Sequence, residues 1–284
     1  VLYGHSHLNK TGLIAGENGV IARTIDNGRN WTVIPACIYS DLKDIHLMSN
    51  GSSIACGDNG RILISEDWGE TWYLSRVTEV HNFNDLEFIS NEIGFIAGDY
   101  GSLLKTTDGG YNFEVIDVNS VIFNFNAIEI IDEKNIIVVG DNGNICLSAN
   151  GGLTWIISVI QNGAADLFDV TFLDANTGVI TGEDNLIFRT EDGGISWNAA
   201  AVSSSNNNDD YFSVAFADSQ FGIAVSSSSG IGVFTTDGGS TWSELGFVVF
   251  NSKHIKKTGT EDPVVLSQNF PNPFNPSTKI SYNI

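Results

Sequence analysis

Six copies of one eight-residue motif recur along the chain at nearly constant intervals. Each copy has Ser or Thr first, Asp or Asn third, Gly fifth and an aromatic residue last. The copies, which we call the box turns, are Thr24–Trp31, Ser65–Trp72, Thr106–Phe113, Ser148–Trp155, Thr190–Trp197 and Thr235–Trp242. Their third positions, 41 to 45 residues apart, are Asp26, Asp67, Asp108, Asn150, Asp192 and Asp237. This period predicts a stack of similar supersecondary units.

The residue types of a box turn predict a tight connection between two strands. The Asp carboxylate can accept backbone N–H groups of its own turn, and Gly adopts a positive φ without steric cost. The aromatic residue begins the next strand and buries a large apolar area. Asn150 keeps the acceptor oxygen but has no charge, so we predict a structural role for all six positions.

A second motif begins ten residues before the Asp or Asn of each of the first five box turns. It starts with Gly and carries acidic or amide residues, which together favour a hairpin connection. These acidic turns are Gly16–Gly19, Gly57–Gly60, Gly98–Gly101, Gly140–Gly143 and Gly182–Asn185. Short apolar or alternating runs flank them, as in Asp85–Phe88 and Gly94–Ala97. Each repeat therefore predicts four antiparallel strands, A to D in chain order.

Repeated four-stranded units without helical periodicity predict an all-β protein, and arranged about a centre they form a β-propeller. We expect one propeller domain over residues 1–250. Its six predicted blades are 1–36, 42–78, 82–118, 124–161, 166–203 and 210–250.

The box turns resemble the Asp-box, or BNR, repeat of sialidases and many other propellers. The longer pattern Asp169–Gly182 followed by Ile187–Trp197 resembles the photosystem II stability/assembly factor-like propellers. This resemblance covers about residues 2–250. Such propellers commonly have seven blades, so a further blade upstream of Val1 is an open alternative.

The end of the chain has a different composition. Four of the five prolines lie in the last 22 residues. The segment Leu266–Ile284 resembles the start of a type IX secretion C-terminal sorting domain, truncated here, and residues 251–265 form a linker to it. The resemblance implies export by the type IX machinery to the cell surface or the extracellular space. A Pro-rich extended linker is the alternative.

Charge and cysteine content limit the classes of partner. The chain has 34 acidic and 13 basic residues, a net charge of −21, which disfavours nucleic acids and anionic membranes as partners. No apolar run is long enough to predict a membrane span. Cys37, Cys56 and Cys146 match no metal-site spacing, so we predict free thiols, no metal and no cofactor.

Antiparallel blades put the box turns on one face and the acidic turns on the other, together with the crossings from strand D to the next strand A. The predicted crossings are 34–41, 76–84, 117–126, 159–167 and 201–210. Variable loops on a rigid scaffold commonly carry binding sites, so we predict binding on this crossing face.

The candidate binding residues lie in the crossings or at the mouth of the central channel. They are Asp44, Arg76, His81, Asp85, Asp169 and Tyr211, with Phe83, Phe123 and Phe125 as further aromatic contacts. The predicted ligand is an extracellular glycan or protein. Two alternatives stay open: the acids cap turns or are solvated, and Phe83 and Phe125 pack between blades.

Catalysis has weaker support in the sequence. A sialidase binds its substrate carboxylate with an arginine cluster, and only Arg76 of the five arginines lies in a crossing. Another glycosidase would need two carboxylates, for which Asp85, Glu87 and Asp169 are candidates. We therefore expect a secreted binding module, with a carbohydrate-active hydrolase as the alternative. The sorting-like tail and the few basic residues argue against a role in photosystem assembly.

Overall fold

The computed structural model describes residues 1–35, 38–75, 80–160, 165–204, 209–226 and 232–245. They form six antiparallel sheets, which confirms the predicted all-β propeller class. Short 3-10 turns join the second and third strands of the first four sheets at Glu17–Gly19, Asp58–Gly60, Asp99–Gly101 and Asp141–Gly143. The linker and the sorting-like tail lie outside the described residues.

The strands follow the order of the chain within sheets 1 to 5, whereas in sheet 6 the first strand lies beside the last. Sheet 1 contains β1 (Leu2–Leu8), β2 (Thr11–Gly16), β3 (Val20–Thr24) and β4 (Thr32–Pro35). Sheet 2 contains β5 (Leu42–Leu47), β6 (Ser53–Gly57), β7 (Arg61–Ser65) and β8 (Tyr73–Leu74). Sheet 3 contains β9 (Phe83–Phe88), β10 (Gly94–Gly98), β11 (Leu103–Thr106) and β12 (Glu114–Val115). Sheet 4 contains β13 (Phe125–Ile130), β14 (Ile136–Gly140), β15 (Asn144–Ser148) and β16 (Ile156–Val159). Sheet 5 contains β17 (Leu167–Phe172), β18 (Gly178–Gly182), β19 (Ile187–Thr190) and β20 (Asn198–Ala199). Sheet 6 contains β21 (Ala201–Ser203), β22 (Tyr211–Phe216), β23 (Gly222–Ser226), β24 (Gly232–Thr235) and β25 (Thr241–Glu244).

The first long strands of successive sheets pack against one another. β1 contacts β5, and the series continues through β9, β13, β17 and β22. These strands therefore surround a common axis and line a central channel. Within the described residues, no packing of comparable extent joins β22 back to β1, so the ring is open between sheets 6 and 1.

The core lies between the sheets. One cluster joins Leu13 and Ala15 of sheet 1 to Leu42 and Ile45 of sheet 2, and similar clusters fill the later junctions. The second strands β6, β10, β14 and β18 are buried along their whole length, because neighbouring sheets cover both faces. Burial on both faces explains why these strands are mostly apolar and do not alternate with polar residues. Cys56 and Cys146 are buried free thiols, and Cys37 lies outside the described residues.

One crossing differs from the expected loop. The segment Ala201–Ser203 pairs in parallel with Thr241–Ser243 and forms a fifth, outer strand of sheet 6. The sequence placed it at the end of the fifth blade. Backbone groups of the outer strand β25 gain hydrogen-bond partners from this addition, which protects an otherwise free sheet edge.

Each acidic turn opens with Gly because a backbone carbonyl group of the neighbouring crossing lies too close to leave room for a Cβ atom. A Cβ atom built on Gly140 would lie 1.9 Å from the carbonyl oxygen of Asn124, and one on Gly57 would lie 2.0 Å from that of Asp41. Both carbonyls belong to the crossing that leads into strand A of the same sheet. The glycine therefore allows the acidic turn and the crossing to touch on the crossing face.

Candidate functional site

Acidic side chains of the first long strands join neighbouring sheets around the channel. Asp85 Oδ2 accepts the backbone N–H of Ile128 at 2.8 Å, and Asp169 Oδ2 accepts that of Val214 at 2.8 Å. Asp44 Oδ2 makes the equivalent bond to Leu86 at 3.2 Å. Each carboxyl group therefore links its own strand to the strand of the following sheet.

A second layer of similar links lies two residues further along these strands. Ser6 Oγ accepts the N–H of Leu47 at 2.9 Å, and Glu129 Oε1 accepts that of Phe172 at 2.9 Å. The carboxyl group of Glu87 accepts the N–H of Ile130. The sequence indicated Glu87 as a candidate carboxylate, but it gave no sign that neighbouring sheets use these side chains as hydrogen-bond acceptors.

The protein environment raises the pKa of every carboxyl group in these two layers. Burial raises the pKa of Asp169 to about 6 and that of Asp44 to about 7. Burial and the charge of Asp44 raise the pKa of Asp85 well above its usual range. Burial also raises the pKa of Glu129 to about 7, and burial together with Glu129 raises that of Glu87 to about 9. Several of these groups therefore hold a proton near neutral pH.

The crossing face has its own repeated link. In each of five crossings an Asp or Asn oxygen accepts a backbone N–H from the acidic turn of the preceding sheet, at 2.8 to 3.2 Å. The donor residues all have φ between 54° and 60°. The acceptors are Asp41, Asn82, Asn124, Asp166 and Asp210. These bonds fix the loops of this face to one another.

Side chains at the start of the first long strands pair with carboxylates of some acidic turns. Lys43 lies 3.6 Å from Asp58, and Asn84 donates to Asp99 at 2.9 Å. In sheets 5 and 6 the equivalent positions are Phe168 and Phe212, whose rings stack with centroids 4.4 Å apart. A cation, amides and an aromatic pair therefore lie among the acidic turns of the crossing face.

Three aromatic residues that were predicted to contact a ligand are fully buried. Tyr211 has no exposed surface, and its hydroxyl donates to Asn185 Oδ1 at 2.5 Å, so the structure does not present it to a ligand as the sequence predicted. Phe83 and Phe125 are also fully buried and pack between sheets, as the alternative interpretation had it. Phe123 is partly buried against Phe125. Arg76 lies outside the described residues.

One predicted residue belongs to an exposed patch. His81 lies beside Tyr100, with ring centroids 5.1 Å apart, and its Nδ1 is 3.0 Å from Ser102 Oγ. Tyr100 is 64% exposed, Val80 is 75% exposed, and Ile122 of the next crossing is 81% exposed. We call Val80, His81, Tyr100 and Ile122 the crossing-face patch.

Tyr100 was not among the binding residues predicted from the sequence. This residue has φ 55°, whereas the equivalent positions in sheets 1, 2 and 4 are Asn18, Asn59 and Asn142. Asn tolerates this region well, but a bulky aromatic residue there is uncommon. The exception was visible in the acidic turns themselves, because only the third has Tyr before its last Gly.

The box turns lie on the opposite face and are closed by internal bonds. Thr190 Oγ1 donates to Asp192 Oδ1 at 2.8 Å, and Ser196 donates through its N–H and its hydroxyl at 2.9 and 2.6 Å. Equivalent backbone bonds reach Asp26, Asp67, Asp108, Asn150 and Asp237. The backbone N–H of Asn30 is the main cause that lowers the pKa of Asp26 to about 2.

The donors and acids of the site do not form a metal centre. Within the residues that the structure describes, no group of three or more His, Cys, Asp or Glu side chains could hold a metal ion. No helix in the described ranges is both long and apolar enough to cross a membrane. The described side chains of the crossing face offer hydrogen bonding, aromatic contact and charge.

Six sheets, five with four strands and one with five, surround a channel lined by their first long strands, and this arrangement defines a β-propeller. A family model described as photosynthesis system II assembly factor YCF48 matches residues 36–107 and 157–249, and the chain belongs to this family. No curated protein matches the chain significantly in sequence.

Solved structures share the fold. A structure of YCF48 bound to D1 peptide is 16% identical, with a TM-score of 0.66 over 82% of this chain and 76% of that chain. A streptogramin B lyase is 12% identical, with a TM-score of 0.74 over 87% and 83% of the two chains. The Niastella koreensis GH74 enzyme is 16% identical, with a TM-score of 0.69 over 86% of this chain. This chain spans 45% of that enzyme.

Proposed function

We propose that the chain is a binding module whose crossing face takes a peptide segment of a protein partner. The observation that carries this proposal is Tyr100, an exposed aromatic residue with a positive φ whose ring lies next to that of His81, tilted by 46°. Residues in sparsely populated backbone regions cost about 1–3 kcal/mol and are common at functional sites. Amphipathic rings such as Tyr supply much of the contact area in interfaces.

Charge suggests the chemistry of the partner. Asp99 and Asp141 lie in the acidic turns that adjoin the crossing-face patch, and the chain has a net charge of −21. A segment with apolar and basic side chains would complement both the patch and its acidic surroundings. The family relationship and the peptide bound to the YCF48 structure support a peptide ligand over a glycan.

Replacing Tyr100 with Asn should weaken this binding without harming the fold. Asn occupies the same position in three other sheets, so we expect the melting temperature to stay constant or rise slightly. Affinity for basic amphipathic peptides selected on an array should fall by about tenfold or more. Titration by isothermal calorimetry measures this loss, and Tyr111→Asn, on an exposed residue of the box-turn face, is the control. Equal losses in the two variants would contradict the proposed location.

We further propose that the type IX machinery exports the protein to the cell surface or beyond. The motif Asn-Pro-Phe-Asn-Pro-Ser-Thr within Leu266–Ile284 supports this proposal. Deletion of residues 263–284 should abolish export in a host that has this machinery and change the melting temperature by less than about 2 °C, because propeller cores lie between sheets. Immunoblots of culture medium and cell fractions test it. Export of the truncated protein, or a large loss of stability, would contradict it.

A carbohydrate-active hydrolase is the second candidate. It is favoured by raised carboxyl pKa values in the channel, since a general acid must hold its proton near the working pH. Against it, the channel carboxyl groups bind backbone N–H groups of adjacent sheets. We expect no turnover of a panel of β-glucans and sialylated glycans. Hydrolysis by the wild type that an Asp85→Asn/Asp169→Asn variant loses would establish the enzyme instead.

A further inference from the structure

A cavity opens between sheets 3 and 4 on the box-turn face, at the opposite end of the molecule from the crossing-face patch. Its volume is about 330 Å³. Most of its wall is apolar and includes Ile89, Ile93, Ile130 and Leu153. This volume is at the small end of the range for ligand pockets, and it suits a ligand of about ten non-hydrogen atoms.

Lys105 projects a cation into this apolar cavity. Its ammonium group donates to the carbonyl oxygen of Gly151 at 2.9 Å and lies 5.2 Å from the centre of the Phe95 ring. No carboxylate among the described residues lies within 4.0 Å of it. An ammonium group has three donors, so two remain for a ligand or water.

Two other sheet junctions have a basic residue at the position of Lys105, and in both it has an acidic partner. Arg23 and Arg189 occupy the same strand position and also donate to a box-turn carbonyl of the next sheet. Both have an acidic partner as well: Arg23 lies 4.0 Å from Glu70, and Arg189 pairs with Glu191. In the junction of Lys105, the box-turn position that corresponds to Glu70 is Leu153.

We propose that this cavity binds a small monocarboxylic acid with an apolar body, and that its carboxylate replaces the missing protein acid beside Lys105. The isoleucines and Leu153 would surround the apolar part of the ligand, while the ammonium group donates to the carboxylate. Asp132 and Glu133 also line the cavity and are exposed, and their charges oppose any anion, so the single carboxylate is expected beside Lys105 and a second negative group is disfavoured. This site is separate from the peptide-binding surface and does not depend on it.

Three probes of one shape test the charge requirement. We expect 3-phenylpropanoate to bind, as followed by isothermal calorimetry and by ¹H–¹⁵N chemical shifts of residues 89–93 and 150–153. The neutral 3-phenylpropanamide should bind about tenfold more weakly or not at all. Equal affinity of the amide, preference for 3-phenylpropylamine, or no binding of the carboxylate would each overturn the proposal.

Two variants test the role of Lys105 in the full chain. Lys105→Met keeps most of the apolar stem and should weaken binding of 3-phenylpropanoate about tenfold or more. Leu153→Glu introduces the acid found at Glu70, should pair with Lys105 internally, and should weaken binding to a similar extent. Lys134→Met, in the exposed turn between β13 and β14 of sheet 4, is the control. If Lys105→Met does not fold, unchanged affinity in folded Leu153→Glu is sufficient to reject the proposal.

Discussion

Replacement of Glu87 with Gln should stabilise the protein increasingly as the pH rises from 5 to 9. Burial and Glu129 raise the pKa of Glu87 to about 9, from an ordinary value of 4.5. A carboxyl group with a raised pKa in the folded state gives full stability below its unfolded pKa, and this stability is lost as the pH rises to the folded value. Gln resembles the protonated form and can still accept the N–H of Ile130.

The wild type should therefore lose melting temperature steadily above about pH 5, and Glu87→Gln should lose less. We expect almost no difference between the two at pH 4.5 and about 5 °C or more at pH 9. Differential scanning calorimetry at constant ionic strength measures both curves. Glu92→Gln, an exposed substitution in the same sheet, is the control. A constant difference across this pH range would show that ionisation of Glu87 does not oppose folding.

The acid side of the stability curve has a different cause. The pKa of Asp26 is lowered to about 2 by hydrogen bonds within its box turn, and that of Asp192 is lowered by bonds from Ser196. These groups stabilise the fold above their unfolded pKa, near 3.8, and the benefit is lost as the pH falls toward 2. Together with the channel acids, they predict maximal stability near pH 4–5.

Gly140→Ala should be among the most destabilising single substitutions in the chain. A Cβ atom at this position would lie 1.9 Å from the carbonyl oxygen of Asn124, and only a shift of the backbone can relieve the overlap. We expect a loss of about 3 kcal/mol or more in the free energy of unfolding, and a fall of about 6 °C or more in melting temperature.

Asn142→Gly, two residues later in the same acidic turn, is the control. It shows whether any substitution in this turn lowers stability, or only one that adds a Cβ atom at residue 140. Asn142 has φ 57°, which Gly adopts readily, so we expect a change below about 1 kcal/mol. Chemical denaturation of both variants gives the two free energies. Similar, small losses in both would contradict the close approach of turn and crossing.

The repeat fixed much of the architecture because its cues are local. The Asp, Gly and aromatic residues of a box turn, as in Thr190–Trp197, act within eight residues, so the turn can be recognised without knowledge of its neighbours. The sheets, their strand order and the face that carries each turn follow from six such units in phase. The same reasoning located the channel acids Asp44, Asp85 and Asp169.

The functions of individual residues depended on contacts between repeats, which a local pattern does not contain. Asp85 resembles a ligand-binding acid until the register of the next sheet shows that it accepts the N–H of Ile128. Tyr211 resembles an exposed loop residue until the position of Asn185 in the preceding sheet is known. Tyr100 is the opposite case, because its departure from Asn in an otherwise regular turn was visible in the sequence.

Hydrogen–deuterium exchange with a selected basic peptide would test most directly whether the crossing face is the binding surface. Bound peptide should slow exchange in residues 99–101 and 119–124, which adjoin Tyr100 and Ile122, and should leave residues 106–113 and 148–155 of the box turns unchanged. Protection confined to the box turns, or spread evenly over both faces, would contradict the account.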